Sequence, residues 1–140
     1  MQTIIIHTDG GARGNPGPAG IGVVVTSGAD GSELGTLSEY IGEATNNVAE
    51  YTAIVRALEY SKTLVADSKG VQVTLKLDSQ LVERQMNGVY KVKDAGLRPL
   101  YEAAQQLVRD YASVTFIHIP RTENKAADAL ANQAMDAGKA

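Results

Sequence analysis

The chain of 140 residues has no cysteine. That absence removes both a disulfide framework and a thiolate metal site, leaving oxygen and imidazole as the metal ligands on offer. That favours hard cations such as Mg²⁺. No basic segment leading into a long apolar one opens the sequence, and no run reaches the length of a membrane span. The expectation is a soluble, cytoplasmic protein with no membrane partner. Positive charge is not in excess either: 13 Lys and Arg against 16 Asp and Glu give a formal net charge of -3. That argues against a broadly basic nucleic-acid coat and leaves room for a local positive patch. With no internal repeat or low-complexity linker, and 44% hydrophobic residues, residues 1–140 read as one globular domain, expected to be a monomer.

The β-branched run Ile4, Ile5 and Ile6 is the signature of a strand buried on both faces. Asp9 ends it, and the glycine-rich stretch Gly10-Gly11-Ala12-Arg13-Gly14-Asn15-Pro16-Gly17 reads as a turn that follows at once. Ile21, Val23 and Val25 form a second strand closed by a hairpin loop over residues 26–32, and Leu34, Leu37, Tyr40 and Ile41 a weaker third. From Asn47 to about residue 65 the period becomes helical, with Thr45, Asn46 and Asn47 as the cap. Val71, Val73, Leu75 and Leu77 alternate as a fourth strand ending at Asp78, and a short helix runs from Ser79 to Met86. A basic loop over residues 88–93 and an amphipathic helix from Leu97 to Val108 follow. Val114 to Ile119 make a fifth strand stopped by Pro120, and an alanine-rich helix runs from Asn124 to about Ala137, with Gly138 as its C-cap. The order βββαβααβα predicts an α/β fold: a mixed five-stranded sheet flanked by helices. Strands 1–3 are antiparallel through short turns, and strands 1, 4 and 5 parallel through helical crossovers.

Four carboxylates, Asp9, Glu50, Asp78 and Asp128, fall at strand ends or in first helical turns. Each has a plain alternative. Asp9 could open an Asx-turn, Asn47 and Glu50 fit a capping-box spacing, Asp78 could cap the next helix, and Asp128 could sit in a helix dipole. Together they fit a different explanation better. Groups just beyond adjacent parallel strands converge on one crevice, and carboxylates crowded there repel unless a divalent cation neutralises them.

The segments His7-Thr8-Asp9-Gly10-Gly11-Ala12-Arg13-Gly14-Asn15-Pro16-Gly17-Pro18, Thr45-Asn46-Asn47-Val48-Ala49-Glu50, Leu77-Asp78-Ser79-Gln80-Leu81-Val82 and Glu123-Asn124-Lys125-Ala126-Ala127-Asp128-Ala129-Leu130-Ala131 resemble, in order, the four sequence blocks of type 1 ribonuclease H. The resemblance implies the ribonuclease H-like fold. It also implies endonucleolytic hydrolysis of the RNA strand of RNA/DNA hybrids, leaving 5′-phosphate and 3′-hydroxyl ends. It maps Asp9, Glu50, Asp78 and Asp128 onto the family's acidic ligands for two Mg²⁺ ions, with Mn²⁺ as a substitute. Asp9 would bridge, Glu50 and Asp78 complete the coordination shells, and Asp128 hold the ion on the nucleophile side. Substrate contacts are implied for Gly10, Gly11, Asn15, Thr45, Asn46, Asn47, Ser79 and Gln80, with Glu50 and Asn15 against ribose 2′-hydroxyls.

The chain departs from the family pattern in two places. The loop histidine that many members carry before the last acidic helix is missing, since both histidines lie in predicted strands; Arg121 and Glu123 are the candidates to replace it. The basic protrusion of some members is reduced to Arg84, Lys91, Lys93 and Arg98, of which Lys91 and Lys93 are the expected phosphate contacts. Two rival readings remain. Another phosphoryl-transfer enzyme on the same fold would not need Asn15, Asn46 and Gln80. A non-catalytic hybrid-binding module would be marked by loss of an acidic ligand, and all four are present.

Overall fold

The computed structural model describes residues 1–139. Three long strands open the chain, β1 (Gln2–Ala12), β2 (Gly17–Ser27) and β3 (Glu33–Ala44), followed by α1 (Asn46–Lys62). Then come β4 (Val71–Leu77), α2 (Gln80–Met86), α3 (Arg98–Val108), β5 (Ser113–His118) and α4 (Lys125–Lys139). The sheet order is β3-β2-β1-β4-β5. The β1/β2 and β2/β3 pairs are antiparallel and the β1/β4 and β4/β5 pairs parallel, the arrangement the connections predict.

One face of the sheet packs on α1. Ile4, Ile6, Val23, Val25, Val73 and Leu75 point towards this side, where Tyr51, Ile54 and Leu58 of α1 join the same buried cluster. Each such side chain contributes about 1.5–3 kcal/mol by leaving water. The Tyr51 hydroxyl donates to Gln85 Oε1 at 2.6 Å, and the Tyr111 hydroxyl donates to the Leu58 carbonyl at 2.6 Å, so neither buried phenol is left unpaired. The other face packs on α4, and its closeness there depends on glycine. A methyl group at Gly22 would overlap the Ala127 carbonyl, and one at Gly20 would crowd the Ala131 carbonyl.

Several boundaries differ from expectation. Asp9, Gly10, Gly11 and Ala12 are not a turn; they stay in β1, paired with Gly22, Ile21, Gly20 and Ala19 of β2. What ends near Asp9 is the parallel ladder to β4, whose last pair is His7 with Lys76. Ile5 is only partly buried although Ile4 and Ile6 are fully buried, so the run is not covered on both faces. Helix α1 stops at Lys62, with the Thr63 amide and hydroxyl both bonding the Tyr60 carbonyl. Gly138 does not cap α4 but lies inside it, and a side chain there would overlap the Tyr40 ring. Among the described residues no helix is long and apolar enough to cross a membrane.

Candidate active site

The capping alternatives for the carboxylates fail on geometry. Helix α1 is capped by Thr45, whose Oγ1 accepts from the Val48 amide at 3.2 Å, so Asn47 and Glu50 form no capping box. Helix α2 is capped by Ser79, whose Oγ accepts from the Val82 amide, so Asp78 does not serve as its N-cap. Gly10 allows α1 to lie directly against β1, since a methyl group there would overlap the Ala49 carbonyl. Glu50, the next residue along, is thereby delivered to Asp9.

The result is a cluster in which one carboxylate oxygen each from Asp9, Glu50 and Asp78 lies within 4.8 Å of the others. Asp9 and Glu50 are each 8% exposed, too dry for uncompensated charge. Burial pushes the Asp9 carboxyl up to about 8, with Asp78 and Asp128 pushing the same way and the Gly10 amide opposing them. Glu50 is raised well above the ordinary carboxylate range, first by burial and then by Asp9 and Asp78. Asp128 stands in the first turn of α4 and joins these three in lining a cavity of about 560 Å³.

A second observation points to an absent cationic partner. Among the described residues, four buried side-chain oxygens lack a hydrogen-bond partner, and three of them belong to Thr8, Glu50 and Asn124 at this end of the sheet. Buried oxygens are normally satisfied, so the orphaned Glu50 oxygen on the cavity wall suits a site built for a ligand. An all-oxygen set of acidic donors with Glu50 Oε2 free fits a hard divalent cation.

The other expected site residues divide into groups. Gly10, Gly11, Asn46, Asn47, Ser79 and Arg121 line the carboxylate cavity. Asn15 and Thr45 do not; with Asn47 they line a neighbouring cavity of about 360 Å³. Lys91 and Lys93 line a third, of about 440 Å³, together with Tyr90, Arg98 and Tyr101. Gln80 is exposed at the start of α2 and outside the carboxylate cavity. Asn46 Oδ1 accepts from the Ala12 amide at 2.9 Å, and Asn15 Oδ1 accepts from the Asn46 amide at 3.0 Å. Both asparagines therefore knit the β1/β2 hairpin to α1 through their oxygens. His7 lies in β1 and His118 in β5, neither on the cavity wall, whereas Arg121 is on it and Glu123 is not.

Two residues carry more than their sequence position suggested. Asn124, 1% exposed, donates from Nδ2 to the Thr8 carbonyl at 2.8 Å and to Asp78 Oδ2 at 3.1 Å. Arg13 lines the carboxylate cavity from the β1/β2 turn and forms an ion pair with Asp136 of α4. Both lie inside the quoted sequence blocks, but no spacing rule distinguishes them from turn and cap residues.

A sheet of this topology with an acidic crevice where the pairing of β1 with β4 ends defines a class, and the sequence agrees: residues 7–134 match the family described as reverse transcriptase-like. The chain is 44% identical to ribonuclease HI of Halobacterium salinarum over 130 residues, 93% of this chain and 63% of that protein. It is 43% identical over 134 residues to a bifunctional protein of Mycobacterium tuberculosis, covering 96% of this chain and 36% of the relative. The crystal structure of LC11-RNase H1 in complex with an RNA/DNA hybrid superposes with a TM-score of 0.90 at 47% identity, covering 98% of this chain and 99% of that one. The chain belongs to the type 1 ribonuclease H family. It spans only about a third of the mycobacterial relative and 63% of the halobacterial one.

Proposed function

We propose that the protein hydrolyses the RNA strand of RNA/DNA hybrids endonucleolytically, leaving 5′-phosphate and 3′-hydroxyl ends. The observation that supports this most directly is the convergence of Asp9, Glu50 and Asp78, with a buried Glu50 oxygen that has no partner. The hybrid seated on LC11-RNase H1 supports the choice of substrate. Two Mg²⁺ ions, or Mn²⁺ in their place, held by Asp9, Glu50, Asp78 and Asp128 would supply an activated water and charge stabilisation at the phosphate.

The protein's own groups do the rest. Asp9, fixed in β1 between two paired neighbours, gives the cluster its rigid centre. Asn124 holds the Asp78 carboxylate against the β1 backbone. Glu50 and the Asn15 amide face ribose 2′-hydroxyls, so a deoxy strand in that position leaves polar groups unpaired, at about 1–3 kcal/mol each. Asn46, Gln80 and Thr45 contact the other strand, the last through a phosphate, and Lys91 and Lys93 hold further phosphates. Arg121, on the cavity wall, contacts the cleaved strand in this reading. The protein acts as a cytoplasmic monomer in this reading.

The test offers RNA/DNA, RNA/RNA and DNA/DNA duplexes of one sequence, with and without Mg²⁺, and maps initial rates and end groups on each strand. Metal-dependent cutting of RNA in the hybrid is expected. Comparable cutting of the DNA duplex would overturn the reading.

A further inference from the structure

We infer that Arg13 is an RNA-strand phosphate contact held in reserve by Asp136; the inference rests on the proposed hybrid-cleaving reading. Arg13 and Arg121 are the cationic side chains on the wall of a cavity that also presents Asp9, Glu50, Asp78 and Asp128. Such a wall repels a phosphodiester wherever cations do not offset it. Helix α4 runs along this cavity, contributing Asp128, Ala131, Asn132 and Met135 at helical spacing. Arg13 lies over the far end of that stripe, between Asn132 and Asp136. At 1.5 Å of rise per residue this is roughly 6–12 Å along α4 from Asp128. A strand whose scissile phosphate sits at the carboxylate cluster would bring a flanking phosphate of the same strand there.

The internal partners of Arg13 are ones it can give up. The Asp136 side chain is 68% exposed and that of Arg13 31% exposed, so water and salt screen the pair. Nη2 makes only long contacts, 3.4 Å each, to the Asn132 carbonyl and Oδ1. A guanidinium carries five donors in a fork that matches a phosphate edge, and a phosphate accepts two of them at once. Asp136 sits in the last turns of α4, where negative charge is disfavoured by the helix dipole. Its structural benefit is therefore small, and as a competitor for Arg13 it would hold the guanidinium near the cavity until a phosphate arrives.

The experiment compares Arg13→Ala and Asp136→Asn, each in an Asp78→Asn background with Mg²⁺. Equilibrium binding of an RNA/DNA hybrid is read by fluorescence anisotropy across a salt series, and thermal unfolding is followed in parallel. If Arg13 contacts phosphate, the two variants act in opposite directions. Arg13→Ala weakens binding about three- to tenfold and lowers the salt slope by about one. Asp136→Asn tightens binding about two- to threefold at low salt, with no loss of thermal stability. A merely structural clamp between turn and helix predicts that both variants lower the melting temperature, weaken binding alike and leave the salt slope unchanged. That outcome overturns the inference, as does an unchanged slope in Arg13→Ala. Turnover by the unmodified protein is scored separately, so hybrid binding without cleavage would refute the catalytic reading while the phosphate contact is still decided.

Discussion

Replacing Asp9 by Asn should destroy activity and make the metal-free protein more stable. Burial and two neighbouring carboxylates raise Asp9 to about 8, against 3.8 for an unperturbed aspartate. A group whose folded pKa is raised stabilises the fold relative to its ionised form only below its unfolded pKa. From there the native state loses stability with rising pH, until the folded pKa is passed. At pH 7 the separation from 3.8 is about three units, and at about 1.4 kcal/mol per unit the metal-free native state carries a penalty of up to about 4 kcal/mol. Asparagine removes the charge but remains a buried polar group, so a net gain of about 1–3 kcal/mol is expected, a rise of several degrees in melting temperature. Circular-dichroism melts in chelator should show wild type losing stability between about pH 4 and pH 8, and Asp9→Asn losing less. Adding Mg²⁺ should stabilise wild type, most strongly towards the alkaline end, and do little for the variant. A variant no more stable than wild type in chelator, with an equally steep pH dependence, would refute the crowded-charge account.

Asp78→Asn should keep the fold and lose roughly a hundredfold or more in turnover, since losing even an outer-sphere partner of a metal costs 10–100-fold; wild-type turnover in Mg²⁺ would remove Asp78 from the site. The Lys91→Ala, Lys93→Ala double variant should weaken hybrid binding and flatten its salt slope by about one to two, and an unchanged slope would make both lysines ordinary surface charge. Gly22→Val places its branches against the Ala127 carbonyl, a backbone atom with no rotamer to yield. A loss of about 1–3 kcal/mol is expected in denaturant melts, together with slower cleavage because Asp128 shifts with α4. Unchanged stability would mean that α4 docks more loosely than described.

The sheet was legible because its strands obey simple rules. The alternation of Val71, Val73, Leu75 and Leu77 and the short connections of the first three strands fix both pairing and direction. The four carboxylates were legible by resemblance, and their convergence by the rule that parallel strand ends share a crevice. Most of what was misread has one cause: local patterns were followed where tertiary contacts decide. Asp9-Gly10-Gly11 looks like a turn, yet the second glycine-rich strand, with Gly20 and Gly22, supplies partners that keep it extended. The helical pattern of α1 reads on to about residue 65, yet the helix stops at Lys62, where the Thr63 amide and hydroxyl both take the Tyr60 carbonyl. Gly138 looks like a stop signal, yet it is small because Tyr40 lies against it. Arg13 and Asn124 were missed because a guanidinium across a cavity and an amide between two strands leave no periodic trace.

The paired register of β1 with β4 ends at His7 and Lys76, and beyond it the Thr8 carbonyl and the Asp78 carboxylate are bridged by the amide of Asn124, a residue from neither strand. The spacing of the carboxylates is thus registered against the start of α4 and also against the chain leaving β5, where the Ile119 amide donates to the Leu77 carbonyl at 2.9 Å, one residue before Asp78. Within the connection to α4, Thr122 and Glu123 are exposed and off the cavity wall, so they are the positions that can change while Ile119, Arg121 and Asn124 keep their seats. Those two positions are where a designer could insert a new substrate-gripping loop without moving the carboxylates beneath it.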